Sequence, residues 1–222
     1  PRAAGAVRAA LPPLPGIAAT DATLLRPGDA GYAQADIAHN IRTRLDPALR
    51  AMCRTPVGVA QMVDWVRDKG LSFAVRCGGH SYEGFSQSRD VVIDVRPLAA
   101  ARVDRAARVL TIGAGASLGL AYKAVARHGL ALAAGSCPTV GIAGHTLGGG
   151  YGLLARPLGL TADNLLGLTL VNAEGRVVAV DAARELDLFW ACRGGGGGSF
   201  GIATEFRFRL HPVTRVVTFK VS

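Results

Sequence analysis

The sequence predicts an α+β fold. Short strand-like runs alternate with amphipathic helical segments, and a β-hairpin and a final strand follow in the last third of the chain without an internal repeat. With 222 residues, half of them hydrophobic, the chain is long enough to bury the core of one large domain or of two small ones. The charged fraction of 18% argues against a disordered chain and against a coiled coil.

The first elements are an extended lead-in and a capped helix. Prolines between residues 12 and 15 prevent a regular helix within residues 1–20. Residues 55–70 carry a helix signature, because Thr55 is a favourable N-cap, Pro56 fits the first helical position, and apolar residues follow at i, i+3, i+4 and i+7.

The later elements follow from the helical periodicity of apolar residues and from short strand-like apolar runs. In chain order they are strands at 71–75, 91–95 and 109–112, a helix from Ser117 to Gly129, hairpin strands at 165–171 and 176–180, a helix at 182–191 and a final strand at 201–210. Two loops stand out between them. One spans residues 76–88, and the other, with seven glycines, spans residues 135–152. Loops of this kind let the backbone approach a ligand closely.

Composition narrows the function classes. The formal net charge of +9 permits binding to anions, yet only 6% of residues are aromatic and no dense Lys/Arg cluster occurs, so we expect no nucleic-acid partner. A cofactor that carries a diphosphate explains the positive charge more simply than a nucleic acid does. No apolar run is long enough to cross a bilayer, so we expect no membrane partner, and no export signal indicates whether the protein is cytoplasmic or exported.

Common cofactor and metal motifs are absent or lack their context. The four cysteines are far apart without a C-x-x-C pair, which argues against a zinc site or a disulfide framework. Gly196, Gly198 and Gly201 match G-x-G-x-x-G, but the match follows a predicted helix and precedes a strand, the reverse of a Rossmann unit. We therefore expect neither a metal site nor a Rossmann fold.

The two glycine-rich loops carry the candidate chemistry. The first reads Arg-Cys-Gly-Gly-His-Ser-Tyr-Glu-Gly over residues 76–84, and its paired glycines can present backbone N–H groups to a phosphate. His80 lies at its tip, and taken alone it is as consistent with a solvent-facing turn as with a site. The second loop contains Cys137 and His145; a lone cysteine is usually a buried, inert thiol.

Together the loops resemble the berberine-bridge-enzyme-like oxidases, which have the vanillyl-alcohol-oxidase fold. The family patterns are R-S-G-G-H and G-x-C-P-T-V-G-x-G-G-H-x-x-G-G-G-Y-G, and further blocks at residues 156–164 and 187–197 follow in the family's order. In that family the histidine bonds the flavin 8α-methyl and the cysteine bonds C6, which are the positions of His80 and Cys137. The sequence departs from the patterns at Cys77, where the family usually has Ser, and at Ala143, where it usually has Gly.

The resemblance implies FAD as the cofactor and a defined set of contacts. The first loop would hold the diphosphate, and the second would line the flavin and its ribityl chain. The implied FAD contacts are Arg76, Cys77, Gly78, Gly79, His80, Ser81, Tyr82, Cys137, Thr139, Val140, Gly141, Gly144, His145, Gly148, Gly149, Gly150, Tyr151, Gly152, Asp163, Asn164, Gly201 and Ile202.

The resemblance also implies a domain plan. It is a PCMH-type FAD-binding domain of two small α+β subdomains: residues 1–50 hold the lead-in and the start of the first, residues 51–110 the rest of it, and residues 111–222 the second. The family's catalytic base belongs to a following substrate domain, which we expect to be absent from this chain and to be supplied in cis. His145 occupies a structural or flavin-contacting position, so no catalytic residue is assigned.

The implied activity is an FAD-dependent oxidase with a small-molecule substrate. An alcohol, sugar or alkaloid-like compound would give a hydride to flavin N5, and O2 would reoxidise the flavin. Two alternatives stay open: a non-catalytic flavin- or drug-sequestering protein of the same fold, and a non-covalent FAD reductase that uses a nicotinamide donor.

Overall fold

The computed structural model describes residues 11–35 and 38–213, which form two α+β units. In the first, β1 (Ala22–Leu25), β2 (Leu49–Cys53), α1 (Pro56–Asp68), β3 (Phe73–Arg76) and β4 (Val91–Asp94) follow in order. The sheet order is β1-β2-β4-β3, with β1 antiparallel to β2 and the other neighbours parallel. The carboxyl ends of the parallel strands β3 and β4 therefore meet at one edge, and the His80 loop leaves from that edge.

Helix α1 forms where the capping signals predict it. The hydroxyl of Thr55 accepts a hydrogen bond from the Gly58 N–H at 3.1 Å, and Pro56 begins the helix. The apolar face that includes Val59, Met62 and Val66 is buried against the sheet. Burial of this face stabilises the first unit and fixes the sheet from which the His80 loop emerges.

The second unit is built on a five-stranded antiparallel sheet. Its elements are β5 (Ala101–Asp104), β6 (Val109–Gly113), α2 (Leu118–Ala126), β7 (Leu130–Ala131), α3 (Ile142–Leu147), α4 (Ala155–Leu158), β8 (Leu165–Val171), β9 (Val177–Asp181), α5 (Leu186–Ala191), β10 (Ile202–Arg209) and β11 (His211–Pro212). The order of the large sheet is β5-β6-β10-β8-β9, and β7 pairs with β11 separately. Phe206 and Phe208 of the central strand β10 are fully buried in its core.

The two units share apolar contacts at the site edge. Val171 and Ile202 lie in strands of the second sheet but pack in the core of the first unit. Cys77, directly after β3, packs against both cores. The first glycine-rich loop therefore begins where the two units meet.

The predicted α+β fold is confirmed, with local corrections. Helix α3 lies inside residues 135–152, which we expected to be a continuous loop; Gly141 caps it and Gly144 is tolerated because neighbouring apolar residues of the helix are buried. The helix expected at 182–191 begins only at Leu186, because Asp181 and Arg184 close a turn and Glu185 has a left-handed φ of 55°. Strands β1, β2, β5, β7 and β11 and the short helix α4 were not predicted.

The chain leaves the first sheet and enters the second before residue 110, where the subdomain boundary was expected. Strands β5 and β6 form an antiparallel pair within the second sheet, so the chain passes from one unit to the other between Asp94 and Ala101. The lead-in lacks regular structure from Leu11 to Ile17, while residues 1–10 lie outside the described part. No described helix has the length and hydropathy needed to span a bilayer.

Candidate functional site

A cavity of about 730 Å³ lies between the two units. This volume falls within the range of small-molecule and cofactor sites. Its wall is formed by the loop after β3, by α3, by the glycine run before β10 and by the start of β10. The sequence-predicted residues that line it are Cys77, Gly78, Gly79, His80, Ser81, Tyr82, Val140, Gly141, Gly144, His145, Gly148, Gly201 and Ile202.

The other predicted site residues lie beside or behind this wall. Arg76 is fully buried, and its Nη1 donates to the Ala35 carbonyl at 3.2 Å, so its side chain anchors the base of the loop. Cys137 and Thr139 lie next to His80 at the cavity edge. The remaining predicted residues form the turn behind α3 and its support, namely Gly149, Gly150, Tyr151, Gly152, Asp163 and Asn164.

The two candidate anchors meet at one hydroxyl. His80 Nε2 lies 3.0 Å from Thr139 Oγ1, and Cys137 Sγ lies 3.4 Å from the same oxygen. The separation of the histidine nitrogen and the thiol sulfur therefore cannot exceed the sum of those two distances. His80 belongs to the first unit and the other two residues to the second, so the fold brings the pair together from opposite sides.

Cys137 is the thiol best suited to react. It is exposed, and hydrogen bonding with the Thr139 side chain and backbone lowers its pKa, with a smaller contribution from the Val140 backbone. Burial has the opposite effect on Cys77, raising its pKa to about 11, and the Cys77 thiol donates to the Ala114 carbonyl at 3.0 Å. The sequence departure at Cys77 therefore places a protonated, inert thiol under the loop.

His80 is held by a segment that the sequence analysis did not select. The rings of His39 and His80 are stacked with centroids 4.3 Å apart, and the His39 N–H donates to the Gly79 carbonyl at 3.0 Å. Asn40 Nδ2 donates to the Tyr82 carbonyl at 2.6 Å. Partial burial, and secondarily the charge of His39, lower the pKa of His80, which favours the neutral imidazole.

His145 fixes the start of the Cys137 loop. Its Nε2 accepts a hydrogen bond from the Gly135 N–H at 3.0 Å, which requires the ring proton of the neutral imidazole to be on Nδ1. Burial lowers the pKa of His145, so the neutral form is favoured. Tyr122 donates its hydroxyl hydrogen to the Gly135 carbonyl from the other side. With Nε2 occupied, His145 is a positioning residue rather than a base.

Glycines set the contact between the two loops. A Cβ on Gly78 would lie 2.2 Å from the Gly141 nitrogen, and a Cβ on Gly141 would lie 2.2 Å from Cys77 Sγ. The loops therefore touch backbone to backbone. Gly144 differs, because a Cβ there would meet nothing within 4 Å although the residue lines the cavity.

A family model described as an FAD binding domain matches residues 47–181, more than half of the chain. The chain belongs to this FAD-binding-domain family. Berberine bridge enzyme-like D-1 of Nicotiana tabacum is 47% identical over 161 residues, which cover 68% of this chain and 28% of that protein. The chain spans less than half the length of the curated relatives it matches.

Solved structures agree with this family assignment. The 6-hydroxy-D-nicotine oxidase of Arthrobacter nicotinovorans matches with a TM-score of 0.83 and 35% identity, covering 86% of this chain and 42% of that one. The glucooligosaccharide oxidase of Acremonium strictum matches with a TM-score of 0.80 and 36% identity over 87% of this chain and 41% of that one. That oxidase carries a 6-S-cysteinyl, 8α-N1-histidyl FAD.

The cavity of this FAD-binding domain fits the cofactor. Open space at Gly144 and Gly198 leaves room that a side chain would fill. Val140, Leu147 and Ile202 supply apolar wall for a flat ring. Gly79 adopts a φ of 68°, a left-handed conformation suited to glycine, within the loop expected to hold the diphosphate. Within the described chain, no His, Cys, Asp and Glu cluster can hold a metal ion.

Proposed function

We propose that this chain is the FAD-binding portion of an oxidase in which FAD is bonded to both His80 and Cys137. The observation that carries the proposal is their shared contact with Thr139 at the cavity edge. The flavin 8α-methyl and C6 lie on the same ring, so two nucleophiles held this close can reach both carbons. The doubly linked FAD of the similar glucooligosaccharide oxidase supports the assignment.

When bound, FAD would supply the hydride acceptor for an alcohol, sugar or alkaloid-like substrate and pass the electrons to O2. The chain's own residues bind and orient it. The glycines of the first loop present backbone to the diphosphate, and the apolar wall formed by Val140, Leu147 and Ile202 excludes water from the ring. Gly201 and Ile202 meet the cofactor from the start of β10.

We assign no catalytic base among the residues that the structure describes. The described residues that line the cavity include no carboxylate, lysine or arginine, and the Nε2 of His145 is occupied by the Gly135 N–H. Tyr82 lies at the wall with its side chain exposed. We expect the base and most of the substrate pocket to come from the substrate domain that the family resemblance implies.

The proposal is tested by denaturing the purified protein in acid and recording the visible spectrum of precipitate and supernatant. His80→Ala, Cys137→Ala and the double variant are compared with the wild type. We expect the yellow chromophore to stay with the wild type and with each single variant, and to leave the double variant. Release of all flavin from the wild type would refute covalent attachment, and a wild type that binds no FAD would refute the proposed function.

A further inference from the structure

Thr139 is the one residue that contacts both anchors among the hydrogen bonds of the described chain. Its hydroxyl oxygen lies between His80 Nε2 at 3.0 Å and Cys137 Sγ at 3.4 Å. The contact with Cys137 lies within one loop of the second unit, whereas His80 reaches Thr139 across the boundary of the two units. A single hydroxyl therefore connects the nitrogen of one anchor to the sulfur of the other.

The hydrogen count of a hydroxyl restricts how these contacts can be arranged. A threonine hydroxyl has one hydrogen to donate and lone pairs with which to accept. If it donates to Cys137, it must accept from His80, and His80 Nε2 must then carry the ring proton. The other ring nitrogen, Nδ1, is left with the lone pair. The reverse direction would place the lone pair on Nε2 and leave Cys137 as a donor thiol.

The surroundings of both anchors favour the first arrangement. The contact with the Thr139 hydroxyl is the leading cause that lowers the pKa of Cys137, which is the effect of a hydroxyl that donates to the sulfur. The neutral state of His80 provides the single N–H that Thr139 can accept. The stacked ring of His39 holds the plane of His80, so Nε2 stays directed at Thr139.

We propose that Thr139 is a positioning residue that prepares both anchors at once: its hydroxyl donates to Cys137 Sγ, which favours ionisation of the thiol, and accepts from His80 Nε2–H, which leaves His80 Nδ1 as the nucleophile. The inference rests on the proposed function, because it concerns the same two bonds to FAD. Each bond replaces one C–H bond of the flavin with one C–N or C–S bond, and the protein loses one proton. That proton comes from His80 Nε2 or from the thiol of Cys137, which loses it on ionisation before the C–S bond forms. The two protons and two electrons released per bond go to O2 as hydrogen peroxide.

The proposal is tested first without FAD. Thr139→Val removes the hydroxyl at nearly constant volume, Thr139→Ser restores it, and Thr111→Val on strand β6 is a matched control away from the cavity. Alkylation by iodoacetamide is followed as a function of pH. Cys137 is the only exposed cysteine, since Cys53 and Cys192 are buried and the pKa of Cys77 is raised, so the reaction reports on Cys137. The ring nitrogens of His80 are followed by ¹⁵N NMR.

We expect Thr139→Val to slow alkylation at pH 7 and to move its midpoint to higher pH, and to convert the His80 signal from the Nε2–H tautomer to a mixture. Thr139→Ser and Thr111→Val should retain wild-type behaviour. Unchanged alkylation and an unchanged tautomer in Thr139→Val would overturn the proposal, as would a wild type in which Nδ1 carries the proton.

Mass spectrometry of the FAD-loaded proteins separates this inference from the proposed function. We expect the wild type and Thr139→Ser to carry FAD through both residues, and Thr139→Val to lose most of the double attachment. A wild type without covalent FAD refutes the proposed function, while the FAD-free measurements still decide the role of Thr139. Full double attachment in Thr139→Val overturns the role.

Discussion

The close contact of the two loops makes Gly141→Ala a sharp test of the site geometry. The new Cβ would lie 2.2 Å from Cys77 Sγ and 2.3 Å from the Gly78 nitrogen. Ordinary van der Waals contact requires the loops to separate by about 1 Å, and the Gly78 backbone cannot rotate away as a side chain can. The φ of Gly141 is −76°, so backbone strain adds nothing. We expect a loss of about 1–3 kcal/mol in the free energy of unfolding, the usual cost of overpacking.

Urea unfolding of the FAD-free protein measures this loss as a lower midpoint at constant slope. Gly144→Ala is the matched control, because its methyl group meets no atom within 4 Å and replaces a glycine inside helix α3. It should leave stability unchanged or raise it by about 0.5–1 kcal/mol, yet weaken FAD binding because the methyl group enters the cavity. Equal stability of Gly141→Ala and wild type, or normal FAD binding by Gly144→Ala, would refute this description of the loops.

Three further predictions concern single contacts. His39→Ala should raise the pKa of His80 toward 6.5, because it removes both the ring that covers His80 and the charge of that ring. His39→Phe should keep the ring contact and remove only the charge. NMR titration of His80 distinguishes the two variants, and an unchanged pKa in His39→Ala would contradict the stacked pair. Asp94→Ala should lower the free energy of unfolding, measured in urea, by about 3–5 kcal/mol. The reason is that the fully buried Asp94 carboxylate accepts hydrogen bonds from Arg96 Nε and Nη2 at 2.9 and 2.6 Å. A loss below about 1 kcal/mol would contradict a buried ion pair. The Asp181 carboxyl has a pKa of about 2, lowered mainly by its hydrogen bond from Arg184. Its stabilising contribution is therefore present above pH 3.8 and is lost as the pH falls toward 2. In Arg184→Ala, NMR titration should show the pKa of Asp181 rising toward 3.8.

Capping and periodicity predicted the regular elements well. Thr55 and Ser117 cap their helices as expected, and the hairpin of β8 and β9 forms around the turn that Gly175 closes with a φ of 72°. Helix α3 was missed because glycine has a low helix propensity, and local composition outweighed the tertiary burial of residues such as Ile142.

The site could be predicted only as far as its motifs extend. The motifs selected His80 and Cys137 by position in two loops, but they could not show that Thr139 lies between them, since that contact spans 59 residues. His39 lies outside the motifs and ahead of the family match, and a lone histidine there carries no sequence signal. Long-range contacts of this kind depend on how the two units pack.

The double attachment of FAD is tested most directly by the intact mass of the FAD-loaded protein, followed by sequencing of the flavin-bearing peptides. Each bond to FAD removes two hydrogen atoms, so the mass itself distinguishes one attachment from two. We predict a mass increase of one FAD less four hydrogen atoms, and one cross-linked product that contains both His80 and Cys137. A wild-type protein that carries FAD at neither residue would contradict covalent attachment, and attachment at His80 or Cys137 alone would contradict the double link.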